Sequence, residues 1–516
     1  MASLADGSPT YGGKSKLYND PIHGFFSLSE DVLAFVDTPQ FQRLRELKQL
    51  GVTSYIFPGA THDRFQHSVG VYHLSARLLD SLASRQPELC LERGDATAVG
   101  VAGLCHDLGH GPYSHVFDNE FIPRVAPGVS FSHEGMGELA LTASIHTLSP
   151  LMCSLPAAPG LDILDWLIDD NNVEVLDTQG VGMVRDMIMA AKPSAASHSE
   201  ERDFLYQIVA NGERPTPATL SFACQDFAAL VFPCAGKNSI DTDKFDYLAR
   251  DTYFMGLKST FDFRRLMVQN RVVQGDLCFH CKEVYSVLEL FHTRYTLFKN
   301  CYLHRAGKAV EYMITDAMVE ANAVWDGRLA KAIQSPQEYC KLTDSIVLDI
   351  QHSTDPGLEA ARGILQDLRR RRLYRFVDEA IVPAEVAKEL RKLTAVDVTT
   401  NNPTSVSLTE DDVIVHDLKL NYGNKDRSPL STTNFYKNAG DTESFLIDSR
   451  KVSYLLPLQY EERVIRVYSR RQDRAIHRAI HKAFRQMCRK LGIEATADPS
   501  HARGPGRGQP PQHAER

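Results

Sequence analysis

The stretch AGLCHDLGHGPYSHVFD, Ala102 to Asp118, sets His106, His110 and His115 beside Asp107 and Asp118 within seventeen residues of a chain that has 19 histidines in 516. Its left half continues a helical pattern. From Asp95 to Gly109, Val99, Ala102, Leu104 and Cys105 point inward, and Asp95 offers a cap. Adjacent residues on a helix point about 100° apart, so His106 and Asp107 can serve one ion only from a helix end or a bend. Gly109 and Gly111-Pro112 supply that bend, because proline drives the residue before it out of the helical region. His110, His115 and Asp118 then return towards the same cavity. Imidazole with carboxylate suits a borderline or hard divalent cation (iron, manganese, zinc or magnesium; one ion or two) with positions left open for water.

Further ligands must come from elsewhere in the chain. HDRFQHSVGVYHL offers His62, His67 and His73. His67 fits best, ahead of a helix expected to begin at Ser68-Val69-Gly70, with Arg64 one turn upstream. NSIDTDKFDYLARD offers Asp241, Asp243, Asp246 and Asp251, with Lys244 and Arg250. Asp243, Asp246-Tyr247 and Arg250-Asp251 recur at helical spacing, so a cation at Asp243 would lie close to Tyr247 and Asp251. A lone buried histidine is ordinarily a hydrogen-bonded core residue, and an Asp-rich helix is ordinarily a solvated face whose ion pairs are worth about 0–1 kcal/mol. What departs from the ordinary is the ordered set of His, then His-Asp, then Asp, with a histidine loop broken at Gly-Pro.

The rest of the chain frames this site. An apolar share of 43% and 24% charged residues are those of a globular protein able to bury a sizeable core. The net charge of −8 does not point to nucleic acid or an anionic membrane. No apolar run is long enough to span a bilayer. The start, MASLADGSPTYGGKSK, has no apolar stretch of a secretory signal and no arginine of a transit peptide, so a nuclear or cytoplasmic protein is expected. The ten cysteines, Cys105, Cys153, Cys224 and Cys234 among them, read as reduced thiols and not as a disulfide or zinc framework.

Helical windows dominate from about Lys16 to Arg375. DTPQFQRLRELKQLG (Asp37–Gly51) reads as one helix capped by Asp37, and the region from Lys282 to Ala321 as a long helix kinked near Gly307. Loops are expected at Ala157–Gly160 and Ala191–Glu201. From Asp378 the texture changes. DVIVHDLKLNYG, SFLIDS and RVIRVYS read as strands, and a helix from Asp473 to Gly492 buries Ile476, Ala479, Ile480, Ala483, Phe484 and Met487. The expected architecture is mostly α: a flexible tail (1–15), a large helical body (16–377), a smaller α+β lobe (378–493) and a disordered Gly/Pro/Arg-rich tail (494–516).

The order of ligands resembles the HD metal-dependent phosphohydrolases. The blocks NDPIHGFFSL, DTPQFQRLRELKQLG, FPGATHDRFQHSVGVYHLS, VAGLCHDLGHGPYSHVFD, SIDTDKFDYLARD and FHTRYTLFKNCYLHRAGK resemble, in this order, the sterile-alpha-motif-and-HD-domain deoxynucleoside triphosphate triphosphohydrolases. The likeness runs from about Lys16 to Lys490; no sterile alpha motif is expected in the roughly 15 residues ahead of it.

The resemblance implies a set of roles. His67, His106, Asp107 and Asp243 would hold the metal, and His110, His115, Asp118 and His133 would line the catalytic cavity. Arg64, Lys244 and Arg294 would face the triphosphate. Gln49, Leu50, Tyr247, Asp251 and Tyr302 would face the deoxyribose, with Leu303 standing where the family has Gln. The implied reaction is hydrolysis of a dNTP to deoxynucleoside and tripolyphosphate. Activation by GTP or dGTP would use Lys16, Asp37, Gln42, Arg45, Arg371 and Arg375, the last in place of Lys. A neighbouring dNTP site would use Ile56, Phe57, Arg265, Lys282, His304 and Arg305. That pattern is weakened by His280 for Arg and Ser286 for Asn, and its last lysine is either Lys437 or replaced by Asn438. A homodimer-to-tetramer assembly is implied. Separately, Arg463–Lys490 holds ten Lys/Arg and one acidic residue, with Arg474, Arg478, Lys482, Arg485 and Arg489 in a stripe. That stripe is a solvated face or subunit contact, or else a site for single-stranded nucleic acid or polyphosphate. Two other readings stand beside the first: a different HD-type nucleotidase or phosphodiesterase, and a nucleic-acid-binding regulator with a vestigial cavity.

Overall fold

Eight strands are present among the described residues of the computed structural model, which are 15–129, 131, 159–189, 200–211 and 238–493. They are β1 (Ser15–Asp20), β2 (Gly24–Ser29), β3 (Asn270–Val273), β4 (Asp276–His280), β5 (Arg375–Val382), β6 (Val413–Asn421), β7 (Phe435–Tyr436) and β8 (Glu461–Ser469). The chain forms two compact units, Met1–Leu373 with Leu420–Glu461, and Tyr374–Lys419 with Glu462–Arg516. A continuous lobe from 378 to 493 therefore needs a correction, because Leu420–Glu461 returns to the first unit. The expected tails and His133 lie outside the described residues, apart from Ser15.

The first unit is mostly helical, as expected. Two helices, Arg64–Arg85 and Arg93–Cys105, form its centre. Val69, Leu74, Leu78 and Leu82 of one and Ala98, Val99, Ala102 and Leu104 of the other are buried to 2% exposure or less. Their axes come close because Gly103 has no side chain: a Cβ there would lie 2.9 Å from Ser75 Oγ and 3.3 Å from Val71 Cγ1. The second helix starts three residues earlier than expected. Glu92 caps it and Asp95, at the third position, closes the capping box.

Several local expectations fail for physical reasons. The opening segment is a hairpin and not a helix. β1 pairs antiparallel with β2, and Asp20 accepts the N–H groups of Ile22 (2.8 Å) and His23 (2.9 Å) to close the turn. Asp37–Gly51 is no single helix. Thr38 caps a short Pro39–Gln42 helix, a 3₁₀ turn follows over Arg43–Glu46, and Leu47 is extended. Arg43 explains the break, since its buried guanidinium donates to the carbonyls of Leu108, His110 and Leu342. The long helical region is interrupted before Gly307: Val284–Leu297 runs into a π turn at Phe298–Tyr302, and a new helix starts at Arg305, capped by His304. Pro159, expected in a loop, begins a helix to Asp170, and Glu200–Gln207 is a 3₁₀ helix.

In the second unit β5 lies antiparallel to β8, in a sheet ordered β5-β8-β6. The helix Arg474–Lys490, capped by Asp473, buries Ile476, Ile480, Ala483, Phe484 and Met487 against Ala380, Val382, Ile465 and Val467. β6 and β8 match two of the three expected strands. SFLIDS does not form one: Phe445 makes only an isolated bridge to Phe435, in the first unit. No helix among the described residues is long and apolar enough to cross a membrane. Cys105, Cys278, Cys301 and Cys488 are buried and in no disulfide. Cys281, at C-x-x-C spacing from Cys278, is in none either.

Candidate metal and active site

Three helix ends carry the first cluster. Asp63 accepts the Gln66 N–H (3.0 Å) and starts the helix Arg64–Arg85, so Arg64 and His67 sit one turn apart, buried to 3% and 1% exposure. The expected start at Ser68 is thus four residues late. His106 is the C-cap of Arg93–Cys105, and Asp107 follows in the turn. Asp241 accepts the Lys244 N–H (2.9 Å) and caps Thr242–Phe254, which places Asp243 in the first turn. The result is convergence. His67 Nε2 lies 3.1 Å from Asp243 Oδ1 and 3.6 Å from Asp107 Oδ2. His106 Nε2 lies 3.5 Å from both Asp243 Oδ1 and Asp107 Oδ1.

The tautomers suit metal binding. His106 Nδ1–H donates to the Gly103 carbonyl (2.8 Å), and its buried Nε2 makes no hydrogen bond. His67 Nδ1–H donates to Asp246 Oδ2 (2.8 Å), which turns its Nε2 towards the carboxylates, where it can give up its proton to a cation. Asp246 is in turn gripped by Arg250 through two bonds of 2.8 and 2.9 Å. His67, His106 and Asp107 offer one compact donor set for a divalent cation, and Asp243 adds a carboxylate oxygen 3.1 Å from His67 and 3.5 Å from His106. Charge says the same. Burial alone would lower the His67 imidazole, but Asp243 and Asp246 outweigh it and push it up to about 10. Burial works against the Asp107 carboxylate, yet Arg64, His106 and His110 hold it well below the ordinary range. Protonated imidazoles thus balance a concentration of negative charge that a dication would neutralise.

A second cluster hangs on irregular backbone. Tyr113 and Ser114 both have positive φ (58° and 57°), a conformation that side chains disfavour. Asp344 holds the corner by accepting the N–H groups of Tyr113 (2.6 Å) and Lys48 (2.9 Å). A π turn, Phe117–Phe121, then carries Asp118. His110 Nε2 lies 3.3 Å from Asp107 Oδ1, its Nδ1 lies 3.6 Å from Asp118 Oδ2, and His115 Nδ1 lies 3.9 Å from the same oxygen. The His110 side chain is 1% exposed and that of His115 is 42% exposed, so one braces the cluster and the other reaches outward.

The remaining predicted residues divide into groups. Arg64 is committed to Asp107 and to Ser114 Oγ (2.8 Å), so here it orders the cluster. Lys244 Nζ pairs with Asp241 (2.9 Å). Arg294 donates to the Asn421 carbonyl (3.1 Å) and lies 4.5 Å from the Phe298 ring centre. Tyr302 O–H donates to Asp251 Oδ2 (2.6 Å), and the other carboxylate oxygen receives His62 Nε2 at 2.7 Å. Gln49 N–H donates to the His62 carbonyl (3.1 Å), which brings Gln49 and Leu50 beside that group. Burial first, outweighing Arg294 and Lys244, pushes Tyr247 up to about 12.

Of the residues expected at an activator site, Lys16 pairs with Asp37 (2.6 Å), and Gln42 donates to the Val36 carbonyl (2.7 Å) and accepts from Arg45 Nε (2.8 Å), so four of the six fall into two pairs. Arg371, at φ 58°, donates to the Tyr55 carbonyl (3.2 Å); Arg375 opens β5 in the other unit. Phe57 stands edge-on to His304 at 6.2 Å, and Ile56 lies against Gly307. Arg265 is taken up by Glu283, which Ser286 also donates to (2.8 Å). Lys282 N–H donates to His280 Nδ1 (3.1 Å), and Arg305 opens its helix. Sequence reading passed over Asp246 and Arg250 as ligand supports and set His62 aside. Their signal was helical spacing from Asp243, three and seven residues on.

The HD domain family model matches residues 64–149. The chain is 36% identical over 460 residues to the deoxynucleoside triphosphate triphosphohydrolase SAMHD1 homolog of Dictyostelium discoideum, covering 89% of this chain and 78% of that protein. It is 36% identical to deoxynucleoside triphosphate triphosphohydrolase SAMHD1 of Gallus gallus (94% and 76% covered) and 34% identical to that of Homo sapiens (92% and 73%).

Proposed function

The chain belongs to the SAMHD1 family of HD-domain deoxynucleoside triphosphate triphosphohydrolases, and from that premise we propose how its own residues carry the reaction dNTP + H₂O → deoxynucleoside + tripolyphosphate. His67, His106, Asp107 and Asp243 hold a divalent cation, with iron, manganese, zinc and magnesium as candidates. When bound, the cation supplies Lewis-acid chemistry to water and the α-phosphate. His115, the exposed imidazole of the second cluster, protonates the departing 5′ oxygen, and Asp118 orients it. His110 and His133 contact the α-phosphate. Lys244 and Arg294 face the charge that grows on the tripolyphosphate, and Arg64 acts on it through Asp107. Asp251, gripped by Tyr302 and His62, accepts the 3′-OH, while Gln49, Leu50, Tyr247 and Tyr302 enclose the deoxyribose. A ribose 2′-OH placed among them without a partner costs about 1–3 kcal/mol.

The convergence of His67, His106, Asp107 and Asp243 from three helix ends supports this reading most directly. Product analysis tests it. Tripolyphosphate from dGTP, little turnover of GTP, and loss of both on replacing His106-Asp107 are expected; orthophosphate would point to a nucleotidase. GTP or dGTP is the proposed activator, through Lys16, Asp37, Gln42, Arg45, Arg371 and Arg375, and the active form is a dimer-to-tetramer assembly in nucleus or cytoplasm. Oligomer mass with and without GTP plus dATP checks the assembly. Arg474, Arg478, Lys482 and Arg489 are exposed on their helix while Arg485 is engaged by Asp378, so those four would carry any single-stranded nucleic acid binding. Failure to retain the protein on single-stranded DNA at low salt would remove that second role.

A further inference from the structure

The turn between β1 and β2, far from the HD motif in sequence, ends inside the metal centre. His23 leaves that turn with its side chain only 2% exposed, and its Nε2 lies 2.6 Å from Asp246 Oδ1. The second oxygen of the same carboxylate receives His67 Nδ1–H at 2.8 Å. Asp246 thus stands between two imidazoles, one from the hairpin and one from the cluster that faces Asp107 and Asp243. Asp20, which closes the turn by accepting the N–H groups of Ile22 and His23, also accepts from Arg250 Nη1 at 2.9 Å, and Arg250 grips Asp246. Asp20, Asp246 and Arg250 side chains are fully buried. Arg250 Nε and Nη2 donate to the two Asp246 oxygens at 2.8 and 2.9 Å. The carboxylate is therefore an acceptor, and both imidazoles donate to it.

We propose that His23 and Asp20 are positioning residues of the metal centre, acting through Asp246 and Arg250 to fix the ring orientation and Nδ1–H tautomer of His67. The inference rests on the reading of His67 as a metal ligand. The physical reason is general. A ligating imidazole must present a bare nitrogen along one direction, and the hydrogen bond made by its other nitrogen decides both the tautomer and the ring angle. Asp246 can do this only if its own two oxygens are fixed, and a carboxylate on a single helix rotates about its χ angles. Here Arg250 fixes it from the same helix and His23 from the opposite side. His23 is itself packed edge-on to Phe263 (5.9 Å between centres) and beside His73 (5.5 Å), so its ring is not free to turn. Lys16, four residues before Asp20 on β1, pairs with Asp37 on the proposed activator side. One short hairpin therefore touches both places.

Mn²⁺ titration of metal-stripped full-length protein, by calorimetry, tests this without using activity. Replacing His23→Leu keeps the bulk and removes the donor; Mn²⁺ affinity should fall at least tenfold, the range seen when outer partners of metal-binding histidines are lost. His23→Gln restores an N–H donor and should recover to within threefold of the parent. Thermal unfolding of the same samples shows whether the fold survives. A His23→Leu protein that binds Mn²⁺ within twofold of the parent overturns the proposal. So does a His23→Gln protein, folded as the parent is, that binds no better than His23→Leu. Should His23→Leu fail to fold, the His23→Gln comparison with the parent alone decides, and a tenfold loss there counts against the proposal. His67→Ala serves as the control: if it still binds Mn²⁺ as the parent does, the metal reading itself has failed, and the inference with it.

Discussion

Two histidine clusters lie a few ångströms apart in this molecule and are built in opposite ways. His67, His106, Asp107 and Asp243 sit on the ends of three regular helices, and their orientation follows from caps at Asp63 and Asp241 and a backbone bond at Gly103. His110, His115 and Asp118 sit on a strained corner and a π turn, held from outside by Asp344 and Arg43. In the first cluster His67 and Asp107 are buried and their outer partners, Asp246 and Arg64, are ionic. The second ends in an imidazole that is half open. A metal needs ligands that do not move. An acid that must meet a substrate oxygen needs one face towards the cavity mouth, and irregular backbone supplies positions that a helix cannot.

The difference can be broken most severely at the first cluster. Asp243→Ala or His106→Ala should remove the divalent cation and lower dNTP hydrolysis by about 10³-fold or more, since several kcal/mol of electrostatic assistance go with it. Metal content of the purified variant and its turnover, measured together, check this. A variant that keeps both would place the cation elsewhere. At the second cluster His115→Ala should keep its metal and lose about 10²-fold or more in turnover, the usual share of a general acid. A substrate with sulfur at the bridging 5′ position leaves as a thiolate and needs no proton, so the deficit should shrink with that substrate. An equal deficit with both would make His115 a binding group.

Gly70 tests the rigid side alone. A Cβ at this position would come within 2.1 Å of Asp246 Oδ1, so Gly70→Ala must push the helices Arg64–Arg85 and Thr242–Phe254 apart or displace the carboxylate behind His67. A cost of about 1–3 kcal/mol in unfolding free energy is expected, with weaker metal binding and no change in the exposure of His115. A fully stable variant would mean that the helices have slack where the structure shows none.

These two kinds of construction were unequally legible in sequence. The final helix could be read residue by residue, since Ile476, Ala479, Ile480, Ala483, Phe484 and Met487 repeat with the helical period and all are buried. The inward face of Arg93–Cys105 was equally clear. Metal candidates could be named because His, His-Asp and Asp come in a fixed order with a Gly-Pro break, but their convergence is a long-range fact that spacing alone does not contain. Short-range competition defeated other readings. Thr38 outcompeted Asp37 as a cap, and Arg43 turned to buried carbonyls and ended the helix after one turn. SFLIDS reads as a strand yet makes one bridge, as Phe445 and Leu446 stay 41% and 57% exposed. The hairpin was missed because β1 and β2 leave Leu17 and Phe25 exposed (70% each) and so carry no clean alternation. His62 and Tyr302 meet at Asp251 from segments far apart, a juxtaposition that no local pattern encodes.

The smallest predicted effect separates the clusters by pH. Burial raises the Asp344 carboxyl to about 6, and the N–H groups of Tyr113 and Lys48 only partly offset it. In the unfolded chain the same carboxyl titrates near its ordinary value of 3.8. The folded state therefore binds the proton more tightly, and the stability this adds is full below the unfolded value and lost as pH rises through the folded one. Between pH 5 and pH 7 the loss amounts to about 1 kcal/mol. Asp344→Asn cannot titrate, so the stability of the parent relative to this variant should fall by that amount over the same interval, measured by denaturant unfolding at each pH. The loss should be felt first where Asp344 holds the backbone. Amide exchange of Tyr113 and its neighbours, corrected for the intrinsic pH dependence, should quicken on going from pH 5 to pH 7, while amides in the middle of Arg64–Arg85 keep their protection. Equal responses in both places would show that the corner and the helices open together, and that the two constructions are one cooperative body.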